Sequence, residues 1–90
     1  MDKVILVNED WHGQIGVAKT YKDAVHYLID NDWLNEKSEI TKEDEEWISI
    51  KEVYGDQWQE EILSLDIDKF NTIFLDMFLL CEVEVYEAKK

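Results

Sequence analysis

Carboxylates outnumber cationic side chains so heavily in this chain that any compact state must form against its own repulsion. Twenty-two Asp and Glu stand against nine Lys, with no Arg, giving a formal net charge of −13 on 90 residues. A charge that far from zero favours solubility but opposes compaction. The excess is concentrated: between Asp30 and Asp68, fourteen acids face Lys37, Lys42 and Lys51, a net −11. Charge of this size goes with disorder only where apolar residues are scarce. Here 46% of residues are hydrophobic and eleven are aromatic, Trp11, Trp33, Trp47 and Trp58 among them. The chain can therefore build a core, and its length suits one domain over residues 1–90.

Hydrophobic periodicity then sets the elements. Lys3-Val4-Ile5-Leu6-Val7 is a β-branched apolar run that reads as a buried strand, and Gly13-Gln14-Ile15-Gly16-Val17-Ala18 alternates as a second. Asn8 to Gly13 carries turn chemistry, so the two runs predict a hairpin over 3–8 and 13–18. Thr20 and Asp23 mark a helix start. Tyr21, Ala24, Val25, Leu28 and Ile29 then predict a helix within 20–33, ended by Asp30-Asn31-Asp32, with Trp33 and Leu34 returning to the core. Residues 35–46 read as a polar loop, or one turning helical after Thr41. Ile50, Val53 and Tyr54, followed by Trp58, Ile62 and Leu65, predict a helix over 49–64 with Gly55 as a point of interruption. Asp66 or Asp68 caps another over 67–76.

The last segment alternates. Leu79, Cys81, Val83 and Val85 are interleaved with Leu80, Glu82, Glu84 and Tyr86, which predicts a half-buried strand over 79–86. Its odd-numbered residues should face the helices, with Glu82 and Glu84 in solvent. The resulting expectation is an α+β fold. A three-stranded antiparallel sheet, formed by the N-terminal hairpin and the C-terminal strand, packs against two or three helices.

Catalytic patterns fail one after another. His12 falls in the turn and His26 on the polar side of the first helix, neither with a nearby Cys or Ser to activate. Ser38, Ser49 and Ser64 sit where helix caps belong. The single Cys81 excludes an internal disulfide, fits a reducing cytosol, and reads as a small buried hydrophobe. Two His and one Cys at wide spacing are poor zinc ligands. Asp30-x-Asp32 and Asp66-x-Asp68 open like calcium loops, but Leu34 and Phe70 occupy the third ligand positions. Gly13 and Gly16 mimic part of a dinucleotide fingerprint, yet they precede a strand. The expectation is a binding protein with no catalytic residue, cofactor or metal. Scattered lysines and the lack of arginine disfavour direct nucleic-acid binding. With no leader pattern and no apolar run near membrane-spanning length, a cytoplasmic protein is expected.

What remains is the acidic segment. Glu36, Glu39, Glu43, Asp44, Glu45 and Glu46 lead to Glu52, Asp56 and Glu60, which recur every fourth residue and line up if 49–64 is helical. Carboxylates in such a row step about 6 Å along the axis, a spacing of the order of that between nucleic-acid phosphates. These nine acids are the candidate partner-binding residues, although a charge run of this kind is also what a solvated face looks like. Trp47, Tyr54 and Trp58 lie in the same stretch and would anchor a partner wherever they are exposed.

In size, acidity and aromatic-rich core, the chain resembles the small acidic inhibitor proteins of bacteriophages and mobile elements, the DNA-mimic and anti-CRISPR class. Asp66-Ile67-Asp68-Lys69-Phe70-Asn71 and Glu82-Val83-Glu84-Val85-Tyr86 look like the endings of small proteins from Gram-positive phages and plasmids. The resemblance implies stoichiometric protein binding rather than turnover, and the net −11 between Asp30 and Asp68 directs that binding to a basic nucleic-acid groove on a host protein, an RNA-guided nuclease being one candidate. The protein would act as a monomer or homodimer in the bacterial cytoplasm. The alternative is an acidic adaptor or regulatory domain that binds proteins without mimicry.

Overall fold

The computed structural model describes residues 3–41, 47–74 and 77–85. β1 (Lys3–Glu9) runs down the middle of an antiparallel sheet of order β2-β1-β5, flanked by β2 (Gly13–Ala18) and β5 (Phe78–Glu84). The β-branched run of β1 suits this central position, where Ile5 and Val7 are buried beneath the helices. A register shift between Val7 and Asn8 makes Ile15 the extra residue of β2. Three helical segments cover one face: α1 (Tyr21–Asp30), a broken segment after residue 49, and α4 (Ile67–Ile73). The fold is α+β, as the order of periodic segments indicated.

Local chemistry explains the ends of the helices. The Asp23 N–H donates to Thr20 Oγ1 at 3.1 Å and the Lys69 N–H to Asp66 Oδ1 at 2.8 Å, so each cap satisfies a free amide of its first turn. α1 stops at Asp30, within the Asp30-Asn31-Asp32 stretch expected to end it, because Asp32 adopts φ 60°. The Asp32 N–H donates to the Ile29 carbonyl at 3.1 Å and the Trp33 N–H to the Leu28 carbonyl at 2.9 Å, closing a Schellman turn. α1 sits close to the sheet at Gly16, where a Cβ would fall 2.7 Å from the Tyr27 ring. The Tyr27 hydroxyl donates to the Ile15 carbonyl there.

Residues 39–41 depart from the expected loop, and residues 42–46, where the segment was expected to turn helical, lie outside the described residues. β3 (Glu39–Thr41) pairs antiparallel with β4 (Trp47–Ser49), setting Ile40 opposite Ile48. Ile40 is an isolated apolar residue in a polar stretch, and only 1% of it is exposed. Its burial draws the stretch onto the core. The segment read as 49–64 is interrupted: α2 (Ile50–Tyr54), a 3-10 turn (Gly55–Gln57) and α3 (Trp58–Leu63) follow one another. Gly55, at φ 75°, breaks the helix. Residues 75–76, the end of the helix expected over 67–76, lie outside the described residues, as does Tyr86.

The strand expected over 79–86 runs over Phe78–Glu84, and where Leu79, Cys81, Val83 and Val85 were expected to face the helices it shows the opposite parity, Val85 being 41% exposed. Phe78 and Leu80 are buried, Leu79 is 50% exposed, and Cys81 is half-buried rather than enclosed. Aromatic packing decides this. Phe74 packs against Phe70 in a tilted arrangement with ring centroids 4.4 Å apart and meets Phe78 edge-on at 5.8 Å, which pulls the even-numbered residues inward. Asn71 then grips the outer edge of β5, accepting from the Leu80 N–H at 2.8 Å and donating to the Leu80 carbonyl at 2.9 Å. Glu82 and Glu84 are exposed as expected, but on the helix side of the sheet.

Candidate partner-binding surface

The β3–β4 hairpin and α2 gather part of the acidic segment. Asn35 forms a turn, its Oδ1 accepting from the Lys37 N–H at 2.9 Å, and the Asn35 N–H donates to Ser38 Oγ at 3.0 Å. The first amides of α2 dock onto this turn, Ile50 N–H on the Ser38 carbonyl at 2.8 Å and Lys51 N–H on the Glu36 carbonyl at 3.2 Å. Ser49 caps the helix by accepting from the Glu52 N–H at 3.3 Å. As a result Glu36, Glu39 and Glu52 line one shallow recess of about 360 Å³, together with Lys37, Lys51 and Trp47.

The recess is less negative than the sequence suggests. Lys51 Nζ lies 2.8 Å from Asp56 Oδ1 and 3.4 Å from Glu36 Oε2. Its hydrogen bond to Asp56, aided by Glu36, pushes the Lys51 ammonium above its ordinary pKa. The same bond holds the Asp56 carboxyl below its own. All these groups are exposed, so the pairing redirects charge more than it stabilises the fold.

Of the nine candidate acids, Glu36, Glu39 and Glu52 are brought together, and Asp56 joins them through Lys51. Glu60 sits on α3 beyond the 3-10 turn and does not line the recess. The continuous row of Glu52, Asp56 and Glu60 does not form, because Gly55 breaks the helix that would have aligned them. Glu43, Asp44, Glu45 and Glu46 lie outside the described residues. Among the candidate anchors, Trp58 is buried, Tyr54 is half-buried and Trp47 is 44% exposed.

A second exposed aromatic was read from the sequence as core material. Trp11 is 88% exposed at the β1–β2 turn. Glu9 organises that turn: its Oε1 accepts from the Trp11 and His12 N–H groups at 2.8 Å each and meets His12 Nδ1 at 2.7 Å. Desolvation pushes the Glu9 carboxyl up, but these hydrogen bonds outweigh it and leave the pKa lowered. The acid-rich turn sequence Asn8 to Gly13 was the available signal, since a Trp flanked by turn residues has little apolar company.

Every carboxylate among the described residues reaches the surface, and no charged or polar residue is buried there. No group of three or more His, Cys, Asp or Glu among them could hold a metal ion. No helix among them is long and apolar enough to cross a membrane. No family model, curated protein or solved structure matches the chain.

Proposed function

We propose that this protein acts by stoichiometric binding, as an acidic inhibitor whose carboxylates occupy the basic nucleic-acid groove of a protein partner. The observation that carries the reading is the gathering of Glu36, Glu39 and Glu52 around a recess that also presents Trp47, where they outnumber Lys37 and Lys51, on a chain of net charge −13. Clustered surface carboxylates attract a Lys- and Arg-lined channel and accelerate encounter with it. An exposed Trp beside them supplies the apolar contact that gives such a complex a long lifetime. Glu43 to Glu46 extend the same acidic segment in sequence. A phage or plasmid protein directed against a host nuclease has this chemistry, and an RNA-guided nuclease is one candidate partner.

The test is competition. Immobilised protein is challenged with lysate of a bacterial host, and bound protein is eluted with duplex DNA or RNA at two salt concentrations. The reading expects a nucleic-acid-binding protein that nucleic acid displaces and that is lost as salt rises. It also expects the triple variant Glu36→Lys, Glu39→Lys, Glu52→Lys to retain nothing, because each lysine faces the partner's own cations. A bound partner that nucleic acid leaves in place, and that the triple variant still holds, would refute mimicry. That result would favour the adaptor alternative.

A further inference from the structure

The face of the sheet turned away from the helices is the reverse of what solvent would select. Antiparallel sheets with one free face ordinarily present polar residues there. Here the alternation carries Val4 and Leu6 from β1, Val17 from β2, and Leu79, Cys81 and Val83 from β5 to that face. Val17 is 52% exposed and Leu79 is 50% exposed. The polar residues interleaved with them, Asn8 and Gln14, are uncharged. On a chain of net −13 the carboxylates of β5 stand on the other side. Within the three strands, the described residues on this face are apolar or uncharged.

We propose that this face is the interface of a homodimer in which two copies stack sheet against sheet, with their helices outermost. Two arguments favour a second copy, and the size of the face bounds the strength of the contact. First, a neutral face is the one on which two strongly acidic chains can meet. The helices' carboxylates then lie behind each sheet, and stacked sheets are about 10 Å apart, beyond the screening length of about 8 Å at physiological salt. Second, edge-to-edge pairing is obstructed, since Asn71 occupies the β5 edge at Leu80 and Tyr27 takes the Ile15 carbonyl of β2. Three strands about 4.8 Å apart and about seven residues long give a face of about 14 by 24 Å. Counted on both copies that is about 670 Å² of flat sheet, a small contact by the standard of specific interfaces, so the association should depend on protein concentration. A twofold axis makes the contact self-complementary, so each apolar residue serves on both sides. The proposal goes beyond the inhibitor reading and stands whether or not that reading holds.

The experiment is the solution mass of the full chain by sedimentation equilibrium, in about 0.15 M and about 1 M salt. The expected mass is twice 10.8 kDa, with tighter association at high salt, the opposite of the response expected of acidic-groove binding. Val17→Asp with Leu79→Asp places two carboxylates in each face, and the dimer should be lost while the circular dichroism spectrum is retained. A second readout needs no variant: Cys81 lies on the face opposite Leu6, so its alkylation should slow as protein concentration rises. A monomeric wild type at high salt, a doubly substituted chain that still dimerises, or a thiol rate independent of concentration would each overturn the proposal.

Discussion

Replacing Asn71 with Ala tests how the outer edge of the sheet is held. The Asn71 amide makes two hydrogen bonds to one residue, accepting from the Leu80 N–H at 2.8 Å and donating to its carbonyl at 2.9 Å, at a part-buried position. Leu80 is 2% exposed, and its side chain anchors β5 to the core. Each such bond contributes about 1 kcal/mol net, so their joint loss should cost about 2 kcal/mol. Because the two backbone groups point away from β1, water can reclaim part of what the amide supplied, which keeps the cost from rising further. For a chain of this size the melting temperature should fall by about 8–16 °C, at about 4–8 °C per kcal/mol. The assay is urea denaturation followed by tryptophan fluorescence, with buried Trp58 as one reporter, combined with hydrogen exchange at the Leu80 amide. A midpoint change worth less than about 0.5 kcal/mol, with Leu80 still protected, would refute the reasoning.

Gly16→Ala should destabilise by about 1–3 kcal/mol, since its Cβ would fall 2.7 Å from the Tyr27 ring. Thermal melts check it, and a neutral result would mean that α1 moves off the sheet without cost. Ile40→Ala should cost about 2–5 kcal/mol, because Ile40 is 1% exposed despite its polar neighbours. A cost typical of a surface site would show that β3 is not part of the core. Asp56 should titrate below 3.8, and Lys51→Met should return its midpoint toward that value. The depressed folded-state pKa means that this pair's contribution is present above the unfolded value and is lost as pH falls through the folded one. Carboxyl chemical shifts followed by NMR would decide, and an unchanged Asp56 midpoint in the Lys51 variant would refute the pairing.

Where periodicity was unbroken, the sequence spoke clearly. The hairpin, α1 with its Thr20 cap, α4 with its Asp66 cap and the three-stranded sheet all follow from runs of apolar residues bounded by turn chemistry. β3 leaves no mark in the sequence because three residues with a single apolar one, Ile40, carry no period, and only the pairing with β4 makes them a strand. The parity of β5 is illegible in the sequence for a different reason. Phe78, Leu79, Leu80 and Cys81 are apolar on both faces, so local pattern could not choose between them, and the choice fell to Phe70 and Phe74 across the core. The acidic cluster was legible as composition. Its geometry depended on Gly55 and Lys51, whose effects are tertiary.

The ambiguity of β5 has a kinetic consequence. Sliding the strand by one residue exchanges its faces wholesale, and the slipped arrangement would bury Leu79, Cys81 and Val83 in place of Phe78 and Leu80. Both arrangements are rich in apolar burial, so a folding chain meets two competitors of similar appeal at its last strand. Asn71 discriminates between them, because its amide fits an outward-facing peptide unit at Leu80. In the slipped pairing Leu80 would turn that unit inward. Asn71 thus acts as a proofreading key, placed on α4 only nine residues before the strand it inspects. Removing it should split refolding into two populations, one of them trapped until β5 detaches and pairs again.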